Sequence, residues 1–195
     1  MNNWDKYFMD IAAVVAQHSK CFSRKLGAVI VKDKSIISTG YNGPPRNVPH
    51  CGERYGKDEL LTEIMNNSPD VKEEDFHKFL YRNACPRHFL GYKSGEGLDI
   101  CIAGHAERNA LINAARLGVS VKDATMYMNC GIPCKDCLIE IINAGIIELV
   151  VTKKIFYDKT SPYLVKYSEI NIRTYGENNE TEIEQLCPVC DRRGT

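Results

Sequence analysis

The chain has 195 residues, 44% hydrophobic and 26% charged, with 25 basic and 25 acidic side chains and a formal net charge of zero. That length suits one domain with a full core, and the charge balance gives no general attraction to duplex nucleic acid or an anionic membrane surface. No apolar run is long enough to span a bilayer, and Asp5, Lys6 and Asp10 interrupt the first twenty residues where a secretory leader would be apolar.

Trp4, Tyr7, Phe8, Ile11, Val14 and Val15 recur at helical spacing and predict an opening helix packed on that face. KLGAVIVKDKSIISTG predicts two short strands, 26–31 and 36–39, joined by a polar turn around Asp33 and Lys34. GYNGPPRNVPHC is dense in Gly, Asn and Pro and is read as a loop. From Gly52 to about Ile100 the pattern is weak, with one helix expected around 59–65. HAERNALINAARLG predicts a helix with Leu111, Ile112 and Ala115 on one side and Gly118 as its stop. There follow a strand at 124–128, a helix over 135–143 closed by Gly145, and the apolar run 146–151, expected as a buried strand of a parallel pair. A short helix near 163–167 and a strand at 170–175 complete the pattern. Strands and helices alternating at these lengths imply an α/β fold with one sheet covered on both faces. Beyond Gly176 the chain reads as a polar tail until CPVC, with Cys187 and Cys190.

The expected compartment is the cytoplasm, where disulfides rarely persist, so the nine cysteines are read as metal ligands, a nucleophile or buried fillers. His105 opens one helix, and Cys134 with Cys137 opens the next. Cysteines at i and i+3 share a helical face, and a helix N-terminus favours thiolate. One imidazole and two thiolates are three ligands for Zn²⁺, leaving a fourth position open for water, as in catalytic zinc sites. Glu107 stands two residues after the histidine and is expected to point away from it, reaching that water as a proton carrier. A lone C-x-x-C is more often structural than catalytic, and a lone His-x-Glu is near background. Together, HAE followed by PCKDC with Pro133 is the signature of zinc-dependent deaminases.

With LGAVIV, TGYNGPPR, HAERNA including Asn109, PCKDC and NAGI, the chain resembles deoxycytidylate (dCMP) deaminases of the cytidine deaminase superfamily from about Trp4 to Tyr175. The resemblance implies a three-layer α/β/α fold on a five-stranded mixed sheet. It implies a single deaminase domain over 1–176, with an insertion at about 52–100, and a tail over 177–195. It further implies hydrolytic deamination of dCMP to dUMP, with Glu107 shuttling protons. Asn42 would hold the deoxyribose 3′-hydroxyl, Ala106 would line the substrate site, and Ser23, Arg24 and Lys25 with Tyr157 would surround the 5′-phosphate. Guanidinium and ammonium groups in a loop are a usual grip on a phosphate monoester. Without the family, Arg24 and Lys25 read equally well as a solvated surface pair, and Tyr157 as a partly buried aromatic.

Cys21, Cys51, Cys85 and Cys101 match positions where many similar bacterial and phage proteins carry a second, structural zinc. Four thiolates would close a tetrahedral site and staple the weakly patterned insertion. Small buried cysteines are the competing reading, and His50 and His88 can substitute for one thiolate. Relatives are commonly homohexamers activated by dCTP and inhibited by dTTP, which makes Arg46 in GYNGPPR the expected effector position. Two departures stand out: Asn47 replaces a usual glycine, and five residues rather than four separate Tyr127 from Pro133. Three rival functions share some of these features. A transfer-RNA adenosine deaminase would be expected to show a basic face. A deaminase of another cytosine nucleotide, a nucleoside or a base remains open, though the last two would not need Arg24 and Lys25. An inactive zinc-stabilised nucleotide-binding regulator would not need Glu107.

Overall fold

The computed structural model describes residues 3–54, 57–68 and 84–176; Cys187 and Cys190 of the terminal CPVC lie outside them. The described residues divide into two compact units. One comprises Lys25–Asn42 together with the chain up to Ser19 and from Gly104 onward; the other comprises Lys20–Arg24 and Gly43–Ala103. Among the described residues no helix is long and apolar enough to cross a membrane.

The first unit begins with α1 (Asn3–Gln17) and the hairpin β1 (Gly27–Lys32) and β2 (Ser35–Tyr41). Asp33 and Lys34 both take positive φ, 50° and 58°, the two left-handed residues that a tight hairpin turn requires. After the second unit come α5 (Ala106–Arg116), β3 (Thr125–Met128), α6 (Lys135–Asn143), β4 (Glu148–Val151), α7 (Ser161–Tyr167) and β5 (Asn171–Thr174). The sheet has five strands in the order β2-β1-β3-β4-β5. The β1 pairings are antiparallel and β3-β4-β5 run parallel, giving the mixed α/β sheet expected.

Residues of β1 alternate between two cores because both faces of the sheet are covered. Ala28 and Ile30 join Met126, Met128, Leu149 and Val151 against Ala106, Ala110, Leu138 and Ile141 of α5 and α6. Val29 and Val31 join Tyr127 and Val150 against Phe8, Met9 and Ala12 of α1.

Two helices bury only part of the face their large apolar residues suggest: Phe8, Ile11 and Val15 of α1 and Leu111 of α5 pack into the cores, and other residues supply the rest of each buried face. On α1 the buried residues are Asp5, Phe8, Met9, Ala12 and Ala16, while Trp4, Tyr7 and Val14 are exposed. On α5 they are Ala106, Glu107, Ala110 and Ala114; Ile112 is 55% exposed, and Ala115 is exposed with Leu111 only half-buried. The reason is close approach. A β-carbon on Gly27 would lie 2.2 Å from the Ala12 carbonyl oxygen, and one on Gly40 would lie 2.2 Å from the Ala110 nitrogen. Both helices press their smallest residues onto a strand glycine, and that geometry decides which face is inside.

A charged cluster ties α1 to the parallel half of the sheet. Arg173 donates to both Asp5 oxygens at 2.7 Å and to Glu148 at 2.9 Å, and the Tyr127 hydroxyl donates to Asp5 at 2.9 Å. The first of these holds the Asp5 carboxyl below its usual range, against the upward push of burial; the Tyr127 bond adds to it.

Among the described residues the second unit holds α2 (Cys51–Arg54), α3 (Glu59–Asn66), α4 (Pro86–Phe89) and a 3-10 turn at Leu98–Ile100. Leu61, Met65 and Ile100 form its small core. Buried Arg54 donates to the Ile100 carbonyl at 2.8 Å and to Asp58 at 3.0 Å, and Asp58 caps α3 through the Leu61 N–H. Polar side chains, more than apolar ones, organise this stretch, which explains why hydrophobic periodicity registers so little of it.

Candidate active site

His105 and Cys134 are the N-cap residues of α5 and α6, both in extended backbone, and Cys137 lies in the first turn of α6. Among the described residues, His105, Cys134 and Cys137 form the set whose ligand atoms all fall within 4.8 Å of one another. The His105 Nδ1 is 3.5 Å from the Cys134 sulfur and 3.3 Å from that of Cys137. A tetrahedral zinc with ordinary bond lengths needs a nitrogen–sulfur separation of about 3.6 Å, so the three residues fit the ion. The Cys134 thiol is held at about 4, first by the hydrogen bond from Cys137, then with help from His105, against the cost of burial. The Cys137 thiol is pushed up in turn by its hydrogen bond with Cys134 and by burial.

Glu107 is 4% exposed, and its Oε2 is buried without a hydrogen-bond partner among the described residues. Burial is the main cause raising its pKa. Its Oε1 lies 3.8 Å from His105 Nδ1. The expectation that Glu107 points away from His105 treated both as helical; His105 is an extended cap, so the two side chains converge. The carboxylate nevertheless stays outside the three-ligand set.

Several contacts fix α5 and α6. Arg108 grips both Glu140 oxygens at 3.0 and 2.9 Å, bridging the two helices. Asn109 and Asn113 donate to the carbonyls of Tyr41 and Thr39, each at 2.8 Å, so one helix face hangs on β2. Asp158 accepts from the Lys135 N–H at 2.6 Å, beside Cys134, and from the Thr160 and Ser161 N–H groups at 2.9 Å. Burial works against it, yet these donors hold its carboxyl below the usual range. The sequence analysis passed over Asp158; its signal was an aspartate two residues before the Thr-Ser-Pro start of α7.

The residues implied by resemblance are distributed as follows. Asn42 is buried; its Oδ1 accepts from Leu26 N–H at 2.8 Å, and its carbonyl accepts from the Ser19 hydroxyl at 2.8 Å. Ala106 is fully buried at the start of α5. Lys25 is exposed and Tyr157 half-buried in the first unit. Ser23 and Arg24 belong to the second, where the Ser23 hydroxyl lies 3.1 Å from His88 Nε2. Asn129, absent from the sequence reading, accepts from the Gly27 N–H at 2.8 Å and donates to the Lys25 carbonyl at 3.4 Å. Arg46 is exposed, and its neighbour Asn47 takes φ 64°. The asparagine therefore adopts the left-handed backbone that the usual glycine would supply.

Cys21, Cys51, Cys85 and Cys101 all lie in the second unit. Cys85 is buried and the others are half-buried. The Cys51 thiol is pushed up to about 11, chiefly by burial and then by Cys85, with smaller contributions from Cys101 and Cys21 and an opposing one from Arg54. The four fall outside the 4.8 Å spacing that His105, Cys134 and Cys137 meet.

Residues 2–153 match the family model of the cytidine and deoxycytidylate deaminase zinc-binding region. The deoxycytidylate deaminase of Saccharomyces cerevisiae is 31% identical over 184 residues, covering 94% of this chain and 48% of the yeast protein. That of Enterobacteria phage T2 is 34% identical over 190 residues, covering 92% of this chain and 96% of the phage protein. The chain spans about half the length of the yeast relatives it matches, at 48% and 44%. In fold it is similar to the dCMP deaminase of cyanophage S-TIM5, solved with dCMP and dUMP: TM-score 0.59 and 20% identity, covering 90% of this chain and 98% of that one.

Proposed function

The chain belongs to the family of cytidine and deoxycytidylate deaminases with a zinc-binding region, and we propose that its reaction is the hydrolysis of dCMP to dUMP and ammonia. The observation that carries this reading is Glu107, a buried carboxylate with one unpartnered oxygen beside a His/Cys/Cys set of zinc spacing. His105, Cys134 and Cys137 would hold the zinc, which when bound would supply Lewis acidity toward water near neutral pH. Glu107 accepts one proton from the attacking water and delivers it to N3 of cytosine, then takes the remaining proton from the hydroxyl now on C4 and passes it to the amine as the C4–N bond breaks. A carboxyl whose pKa is raised by burial is suited to holding a proton between those transfers. Water supplies the oxygen of dUMP, and ammonia departs with the amino nitrogen.

Nucleotide preference is the finer part of the proposal. Asn42 faces the sugar, Ala106 lines the pocket, and Lys25, Tyr157, Ser23 and Arg24 serve the 5′-phosphate. The proteins named deoxycytidylate deaminase that span most of their length in this comparison support that choice. Residues 1–176 act as one deaminase domain, with the second unit as its insertion. Cys21, Cys51, Cys85 and Cys101 hold a structural zinc there, a reading supported by the presence of all four cysteines in that one unit. Arg46 and the left-handed Asn47 form the place for dCTP or dTTP. The protein works in the cytoplasm as an assembly of copies, a hexamer, for which exposed Trp4, Tyr7 and Val14 offer apolar surface.

The test is ammonia release from dCMP, deoxycytidine and cytosine side by side, with zinc content measured on the same samples. We expect dCMP to be the preferred substrate and two zinc ions per chain. Glu107→Ala should keep the zinc and lose turnover; near-normal dCMP deamination by that variant would sink the assignment.

A further inference from the structure

Asn129 is the first residue after β3, in the stretch between Tyr127 and Pro133. In the antiparallel ladder, Ala28 pairs with Met128, so Gly27 is next to face Asn129. The Asn129 N–H donates to the Gly27 carbonyl at 3.3 Å. The return bond ends elsewhere: the Gly27 N–H donates to the side-chain Oδ1 of Asn129 at 2.8 Å. The side chain thus replaces the main-chain acceptor of a regular ladder, and the backbone is released to turn toward Cys134. Its Nδ2 then reaches one step further, to the Lys25 carbonyl at 3.4 Å.

The chain just after Asn129 is fixed from the opposite side. The Cys130 carbonyl accepts from the Thr152 N–H at 2.9 Å, and Gly131 bridges to Lys153. Asn129 is therefore a strut between two anchored segments, one leading to the zinc ligands and the other carrying Lys25. Asn42 holds the neighbouring Leu26 through its N–H, so two asparagines fix residues 25–27. A main chain held at this spacing sets how far the Lys25 ammonium can stand from the reacting base.

We propose that Asn129 is a positioning residue for nucleotide recognition, holding Lys25 where it meets the 5′-phosphate of a substrate whose cytosine lies at the zinc site. This rests on the dCMP reading above. It predicts a larger loss on substrates that carry a phosphate than on those that lack one.

The test compares Asn129→Ala and Asn129→Asp with the wild type on dCMP and on deoxycytidine, by turnover and by equilibrium binding. In Asn129→Ala, KM and Kd for dCMP should rise about three- to tenfold, the scale of one lost hydrogen bond. Any loss on deoxycytidine should be several-fold smaller than the loss on dCMP. Asn129→Asp keeps an acceptor for Gly27 but loses the donor to Lys25, so it should show the same larger loss on dCMP with a wild-type melting temperature. Unchanged dCMP constants in Asn129→Asp, or equal losses on both ligands, overturn the inference. A wild type that binds dCMP and deoxycytidine alike overturns it as well. A wild type that binds dCMP more tightly yet releases no ammonia overturns the reaction assignment alone and leaves the binding comparison decisive for Asn129.

Discussion

Replacing Arg173 by methionine would leave Asp5 in place without the cation that neutralises it. The side chain of Asp5 is 12% exposed and that of Arg173 34%. Removing one partner from a fully buried pair costs about 3–5 kcal/mol, whereas exposed pairs contribute about 0–1 kcal/mol. Water reaches a third of Arg173, and the Tyr127 hydroxyl stays on Asp5 at 2.9 Å, so a loss of about 2 kcal/mol at pH 7 is expected. The pH dependence has a definite sign. The hydrogen bond from Arg173 lowers the Asp5 pKa from 3.8, so its contribution is present in full above that value and fades as pH falls through the lower, folded-state value. Urea titrations of both proteins from pH 7 to pH 3 should show their stability difference begin to narrow below pH 3.8. A difference under about 0.5 kcal/mol at pH 7 would place the cluster among ordinary surface pairs, and one as large in acid as at neutrality would refute the electrostatic account.

Gly40→Ala should lower the melting temperature and weaken zinc binding together, because the new β-carbon would sit 2.3 Å from the Ala106 carbonyl oxygen, one residue from His105; overpacking of this kind costs about 1–3 kcal/mol, and an unchanged melt would contradict the close approach. Asp158→Ala should cost about 1 kcal/mol through the lost α7 cap and, by freeing the Lys135 N–H beside Cys134, reduce zinc affinity in a chelator competition. An effect on stability with no effect on zinc would confine Asp158 to capping.

The five strands and the three zinc-spaced residues were legible because each rests on local pattern: short apolar runs in β1 and β4, and helix starts at His105 and Cys134. Helix orientation was less legible. Of the large side chains on α1 and α5, Trp4, Tyr7, Val14 and Ile112 stay exposed, since Gly27 and Gly40 admit alanines beside the residues expected to pack. Periodicity registers hydrophobicity and is blind to how closely two backbones can approach. Asp5, Tyr127 and Arg173 escaped for another reason: Asp5 and Arg173 are 168 residues apart, and charges meeting across that separation leave no spacing to read. Asn129 escaped because a side chain completing a β-ladder has no composition signal.

The placement of His105 and Cys134 at helix caps sets stability against activity at those two positions. An N-cap ordinarily presents a side-chain oxygen to the first N–H groups of its helix, and substituting such a residue by alanine costs about 1 kcal/mol. Neither α5 nor α6 has a side-chain cap hydrogen bond, so the chain forgoes that stabilisation twice to keep nitrogen and sulfur where the metal is held. Selection for thermal stability alone would drift both positions toward serine or aspartate, and the more robust protein that resulted would lose its zinc.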